Sequence, residues 1–189
     1  PMRTFITTDH PNAGPFTRYP RIMKWLMSDK SRQAMLKGFK NSDKVIAATN
    51  LASIDRELTL YEIAQMTRAG PAKSLGLYDT FGGLAPGMDA DVVVYDLNED
   101  KIKDAEEIEK AFSAADYVFK SGTLVVENGE VINNGNKRTL WVDAKVPMNE
   151  QVERDVQMKF LKFYSMNLNN YEVSNHYVPN PYVIEVDSN

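Results

Sequence analysis

Asp9 is the first residue in the chain whose type and position could do chemistry. It follows the β-branched and aromatic run Thr4-Phe5-Ile6-Thr7-Thr8 and opens the Pro/Gly-rich stretch His10-Pro11-Asn12-Ala13-Gly14-Pro15. A carboxylate directly after an apolar strand, on a loop that cannot continue it, is how α/β enzymes present a base or metal ligand at the carboxyl end of a sheet. The same residue also suits an Asx turn that only caps the loop. His10 is adjacent and could support such a group as a donor, or be purely structural. Arg18 and Arg21 flank Tyr19-Pro20 beyond the loop; a pair of cations there could clamp an anion, or be solvated surface charge.

The remaining chemistry is narrow. The chain has no cysteine, which removes disulfides, thiolate metal sites, iron–sulfur ligation and a cysteine nucleophile. His176 is the only other histidine. Two histidines so far apart, without His-x-His or His-Glu-x-x-His, do not make a self-sufficient zinc site. Gly82, Gly83 and Gly87 precede no Lys-Ser/Thr pair, so they are turn residues and not a phosphate loop. With 22 basic and 26 acidic residues the net charge is -4, so no chain-wide attraction to nucleic acid or anionic lipid is expected. No apolar run approaches the roughly 20 residues of a membrane span, and a soluble, cytoplasmic protein is expected.

The elements that must position these residues are legible in part. Arg3 to Thr8 reads as a strand. From Pro20 onward, Ile22, Trp25, Leu26, Ala34, Met35 and Phe39 recur at helical spacing, with Gly38 near the end. Thr59 and Glu62 form a capping box for a helix to Thr67, which Gly70-Pro71 should stop. Asp104 and Glu107 are the capping pair of a second helix to Phe112. Val92 to Tyr95 is β-rich after a Pro86-Gly87 turn, and Tyr117 to Ile132 reads as a three-strand meander turning at Ser121-Gly122 and Asn128-Gly129. Thr139 to Val142 can add a strand, and Asn149 to Leu168 is an amphipathic helix striped by Val152, Val156, Phe160, Phe163 and Tyr164. The last 20 residues, rich in Asn, Tyr and Pro, read as an irregular tail. Apolar residues at 43% and charged residues at 25% fit a globular chain. At 189 residues it is too short for a complete (β/α)8 barrel of about 250. It opens at Pro1 directly before the first strand, which suggests a piece of a longer protein.

Ala72-Lys73-Ser74-Leu75-Gly76-Leu77, followed by Gly83 to Asp96 with its Ala85-Pro86-Gly87-Met88-Asp89-Ala90-Asp91 core, resembles the stretch in which amidohydrolase-superfamily enzymes leave their metal-dependent barrel and re-enter a small β-sandwich. Val125 to Val131 is similar to that domain's last hairpin. Thr8-Asp9-His10-Pro11-Asn12 resembles the end of the eighth barrel strand. The longer stretch Thr7 to Pro20, with Phe16-Thr17-Arg18-Tyr19-Pro20, is similar to the family of formylmethanofuran dehydrogenase A subunits, and the likeness runs through the helix after Asn149.

The resemblance implies an α/β chain: residues 1–71 as the last strand and helices of a truncated barrel, 72–143 as the β-sandwich, and 144–189 as a C-terminal helix and tail. It implies part of an enzyme that interconverts formylmethanofuran with formate plus methanofuran at a binuclear zinc site, the first step of methanogenesis from carbon dioxide. Asp9 is then metal ligand and general base, and His10, Asn12 and Arg18 contact substrate. Partner subunits would carry a molybdenum or tungsten pterin and iron–sulfur clusters. The His-x-His, the carboxylated lysine and the other histidines of such a site would lie upstream of Pro1. The chain alone is therefore expected to be inactive, to bind zinc weakly at most, and to be able to self-associate through uncovered faces. The alternatives are part of a dihydroorotase-type or N-acyl-amino-acid deacylase-type amidohydrolase, or a non-catalytic assembly module.

Overall fold

The computed structural model describes residues 3–98, 102, 104–135, 138–164, 167–178 and 180–187. The chain divides into two compact units, Pro1–Gly135 and Asn136–Asn189.

The first unit begins with helices. A 3₁₀ turn, Phe16–Arg18, runs directly into α1 (Tyr19–Met27), whose second residue Pro20 sits where a helix has no N–H to lose. Ser28 then breaks the helix and caps α2 (Asp29–Lys37), its hydroxyl accepting from the Ser31 N–H at 3.2 Å. Gly38 closes α2, and α3 (Ser42–Ala47) follows. Of the residues recurring at helical spacing, Leu26 packs against the core and Ile22, Trp25 and Met35 are half-buried. Met23 and Met27 are the buried residues of α1 and Arg32 and Leu36 those of α2, while Ala34 and Phe39 are exposed. Methionine fits because its unbranched side chain fills an irregular gap where three helices meet.

The capping box is formed as expected, with Thr59 accepting from the Glu62 N–H and the Glu62 carboxylate accepting from the Thr59 N–H. Gly70-Pro71 does not stop the helix. Instead α4 (Leu60–Ala64) passes through a π-helical turn, Gln65–Ala69, into α5 (Gly70–Ser74). The Gly70 N–H reaches back five residues to the Gln65 carbonyl, a widened turn of the kind that absorbs a local disruption of the ordinary ladder. The helix ends four residues later in a Schellman motif. Gly76, at φ 73°, donates to the Lys73 carbonyl at 3.2 Å, and Leu77 donates to the Ala72 carbonyl at 2.8 Å. The Ala72–Leu77 sequence thus encodes a helix stop.

β1 (Val92–Val94), β2 (Tyr117–Lys120), β3 (Thr123–Glu127) and β4 (Glu130–Val131) form one antiparallel sheet in that order. Both predicted two-residue turns are present, Ser121-Gly122 at φ 49° and 77° and Asn128-Gly129 at 50° and 78°, as a type I′ hairpin requires. Asp91 accepts from the Ser121 N–H at 2.9 Å and pairs with Lys120, while Asp89 accepts from the Ser121 hydroxyl at 3.1 Å. The acidic residues after Pro86-Gly87 therefore grip the first hairpin turn. Between β1 and β2 lies α6 (Ala105–Ser113), where Asp104 caps the Glu106 N–H and not that of Glu107. Ile108 of α6 is fully buried with Met23, Met27 and Ile63, and Tyr95 meets Phe112 edge-on at 5.0 Å. Lys24 of α1 reaches Glu106 at 2.8 Å and Glu109 at 2.6 Å, locking α1 to α6.

The second unit contains β5 (Thr139–Lys145), α7 (Glu150–Phe163) and β6 (Pro181–Asp187). Asn149 caps α7, accepting from the Gln151 and Val152 N–H groups at 3.0 Å each. Residues 165–166, within the expected helix, lie outside the described ones. The tail is not irregular throughout. β6 pairs in parallel with β5 over seven residues, and two 3₁₀ turns, Leu168–Tyr171 and Asn175–Tyr177, precede it. A parallel partner so far along the chain leaves no hairpin signature to read.

Candidate functional site

Arg3 to Thr8 does not form the expected strand: residues 4–9 carry no ladder. A strand exists only with a neighbour to satisfy its backbone groups, and the described residues offer it none. The segment is held by side chains instead. The Phe5 ring lies against Gly70, where an added Cβ would come within 3.1 Å of it. The Tyr19 hydroxyl donates to the Ile6 carbonyl at 3.5 Å, and Thr8 is buried.

Asp9 then turns the chain. Its φ of 49° is left-handed, a conformation that aspartate adopts more readily than most residues. Its N–H donates to the Thr7 hydroxyl at 3.2 Å and its carbonyl accepts from Ala13 at 3.1 Å. Its carboxylate is exposed and has no hydrogen-bond or ion-pair partner among the described residues. An Asx turn would have used that carboxylate locally; here the local bond is made by the Asp9 backbone N–H to the Thr7 hydroxyl. His10 precedes a cis peptide bond to Pro11. Its Nδ1 accepts from the Phe16 N–H at 3.3 Å, and the ring meets Phe16 edge-on at 5.1 Å. Asn12 is exposed in the same turn. Asp9, His10 and Asn12 are thus brought onto one loop.

Beside that loop is a cavity of about 280 Å³ lined by Thr8, Ala13, Gly14, Arg18, Arg21 and Trp25 among others. Arg18, Arg21 and Trp25 are spaced by three and four residues, which puts them on one helix face, and the Arg21 guanidinium stacks over the Trp25 ring at 5.3 Å. Sequence reasoning misses Trp25 and Thr8 as site residues; the spacing from Arg18 is the signal that could find Trp25. A larger hollow of about 620 Å³ lies on the other side of Arg21 and Trp25, against Lys24, Met35, Phe39 and Glu109. Its one carboxylate is bonded to Lys24, so the smaller cavity is the better site candidate.

No group of three or more His, Asp or Glu residues able to hold a metal occurs among the described residues. Asp9 with His10 at its side supplies at most two of the four ligands zinc takes, and the Nδ1 of His10 is already engaged. The residues present do not by themselves fit a binuclear zinc site.

Residues 1–126 match the model of the amidohydrolase family. The chain is 46% identical to Protein FwdA of Methanocaldococcus jannaschii, over 98% of this chain and 33% of that protein. It is 41% identical to the A subunit of the formyltransferase/hydrolase complex Fhc of Methylorubrum extorquens, over 85% of this chain and 28% of that protein. The crystal structure of the Methylorubrum extorquens formyltransferase/hydrolase complex FhcABCD, solved with methylofuran, contains a chain that superposes with a TM-score of 0.73 at 33% identity. That match covers all of this chain and 33% of the other. The chain therefore spans about a third of the length of the relatives it matches.

Proposed function

The chain belongs to the amidohydrolase family, and from that premise we propose that it supplies the Asp9 loop and the adjoining cavity to an enzyme that interconverts formylmethanofuran with formate and methanofuran. It works within an assembly of several subunits, the others bearing the pterin and iron–sulfur groups. The likeness to Protein FwdA and to a component of a formyltransferase/hydrolase complex supports this reading. The observation that carries it is the exposed, unpartnered carboxylate of Asp9, held on a left-handed residue next to a cavity bearing two arginines.

The steps this chain's own residues perform are proton transfers and positioning. Asp9 accepts a proton as a water oxygen attacks the formyl carbon, and returns it to the amine nitrogen as the carbon–nitrogen bond breaks; formate and the free amine leave. Arg18 holds the formate carboxylate by charge-assisted bonds. His10, through its free Nε2, and Asn12 contact the amide. In this reading zinc is held chiefly by groups other than these, with Asp9 the single ligand contributed here, and the 189 residues alone neither turn over substrate nor bind zinc tightly.

Asp9→Asn in the assembled enzyme tests the reading. The amide keeps the shape but cannot take the proton, so kcat should fall by about 10²- to 10⁴-fold with KM little changed. A variant with near-normal kcat would leave Asp9 as a loop residue only.

A further inference from the structure

Arg21 stands between the two hollows of the first unit. It lines the smaller one with Arg18, beside the Asp9 loop, and the larger one with Lys24 and Glu109. Its guanidinium stacks over Trp25, which also lines both, and it has no ion pair among the described residues. A guanidinium is always charged and pairs readily with a carboxylate, yet the one carboxylate lining a hollow with Arg21 is taken. Lys24, one turn along α1 from Arg21, donates to Glu106 at 2.8 Å and to Glu109 at 2.6 Å. The bonds to Glu106 and Glu109 raise the pKa of Lys24 above its ordinary value of 10.5, so it stays charged. The Glu106 side chain is 80% exposed and solvated, whereas that of Glu109 is 33% exposed and depends more on its partner.

Without Lys24, the Glu109 carboxylate would be half-buried and unpaired in a hollow that also holds a free guanidinium. It would draw Arg21 to its own side, because a planar arginine–carboxylate pair is stronger than stacking on an exposed indole. The smaller cavity would then keep Arg18 alone. We propose that Lys24 is a positioning residue: by neutralising Glu109 it keeps Arg21 available to the smaller cavity, where Arg21 and Arg18 together grip the carboxylate of formate. The affinity for the anion then scales with the fraction of molecules in which Arg21 is free. This rests on the proposed hydrolysis, and it concerns how tightly the product anion is held, not how the proton is moved.

The test measures, in the assembled enzyme, kcat for hydrolysis of formylmethanofuran and the inhibition constant of sodium formate against it. Arg21→Gln should raise that constant about tenfold, the scale of one charge-assisted contact. Lys24→Met should raise it nearly as much with far less change in kcat, since an arginine free in about a tenth of the molecules weakens binding about tenfold. Lys24→Gln, which removes the charge and keeps a donor to Glu109, should follow Lys24→Met. Glu109→Gln should stay within about twofold of the parent, and Lys24→Met combined with Glu109→Gln should return to that range, because no carboxylate is left to capture Arg21. A purely mechanical clasp between α1 and α6 gives the opposite pattern: Glu109→Gln weakens formate binding as Lys24→Met does, and the double variant is no better than either. That pattern, an inhibition constant unchanged in Arg21→Gln or in the Lys24 variants, or failure of both Lys24 variants to assemble overturns the proposal. Hydrolysis by the parent and its loss in Asp9→Asn are read in the same preparations. Intact hydrolysis with the wrong formate pattern sinks this inference alone, and absence of hydrolysis sinks the proposed function with it.

Discussion

Arg32 shows how much a single side chain holds in this molecule. It is 6% exposed and donates to the carbonyls of Trp25 at 2.5 Å, Ile54 at 3.2 Å and Arg56 at 2.8 Å, with Asp29 as its carboxylate partner at 3.4 Å. These bonds tie the end of α1 to the segment that leads into α4. Arg32→Leu would leave buried carbonyls without donors, so urea unfolding should show a loss of at least about 3 kcal/mol. Arg32→Lys should lose nearly as much, because an ammonium cannot span three carbonyls in a planar fork. Nothing in the sequence marks this residue. An arginine in a polar helix reads as surface, and its burial depends on carbonyls more than 20 residues away. Asp9, in contrast, stands out at once, since its setting is local: an apolar run, one acid, then Pro and Gly.

Among the elements, those defined by a few adjacent residues are legible and those defined by distant partners are not. The Thr59–Glu62 box, the Asn-Gly turn and the Asn149 cap each close within four residues, so composition alone specifies them. The Arg3 to Thr8 strand fails because β structure needs a neighbour, and β6 escapes notice because its partner lies about 40 residues back. The capping box also has a signature in pH. The Thr59 N–H donating to Glu62, and the Arg56 guanidinium paired with it, hold the Glu62 carboxyl below the usual value of 4.5. A depressed folded value means that the stabilisation is complete above pH 4.5 and is lost as pH falls through the lower folded value. Thermal melts from pH 6 to about pH 3 should therefore show a smaller acid-side decline in Glu62→Gln than in the parent. An unchanged slope would show that the box does not respond to acid.

At the scale of the whole molecule, the two units differ in what protects them. The first has a core of Met23, Met27, Ile63 and Ile108, while the second has no buried residue among those described. For the chain on its own, amide exchange over Thr139–Lys145 should be at least about tenfold faster than over Tyr117–Lys120, since protection follows local burial. Equal rates would mean that the second unit is closed by contacts of its own. The grip of Asp91 on the Ser121-Gly122 turn has a consequence in time. The hairpin that it holds is local and can form within about 1–10 μs. The carboxylate comes from 30 residues upstream, with α6 between, and must wait for that loop to close. A contact between residues so far apart in sequence is expected to form late, beyond the main folding barrier. In stopped-flow measurements Asp91→Asn should speed unfolding and leave the folding rate almost untouched, so these acidic residues set how long the sheet survives once made, not how quickly it is made.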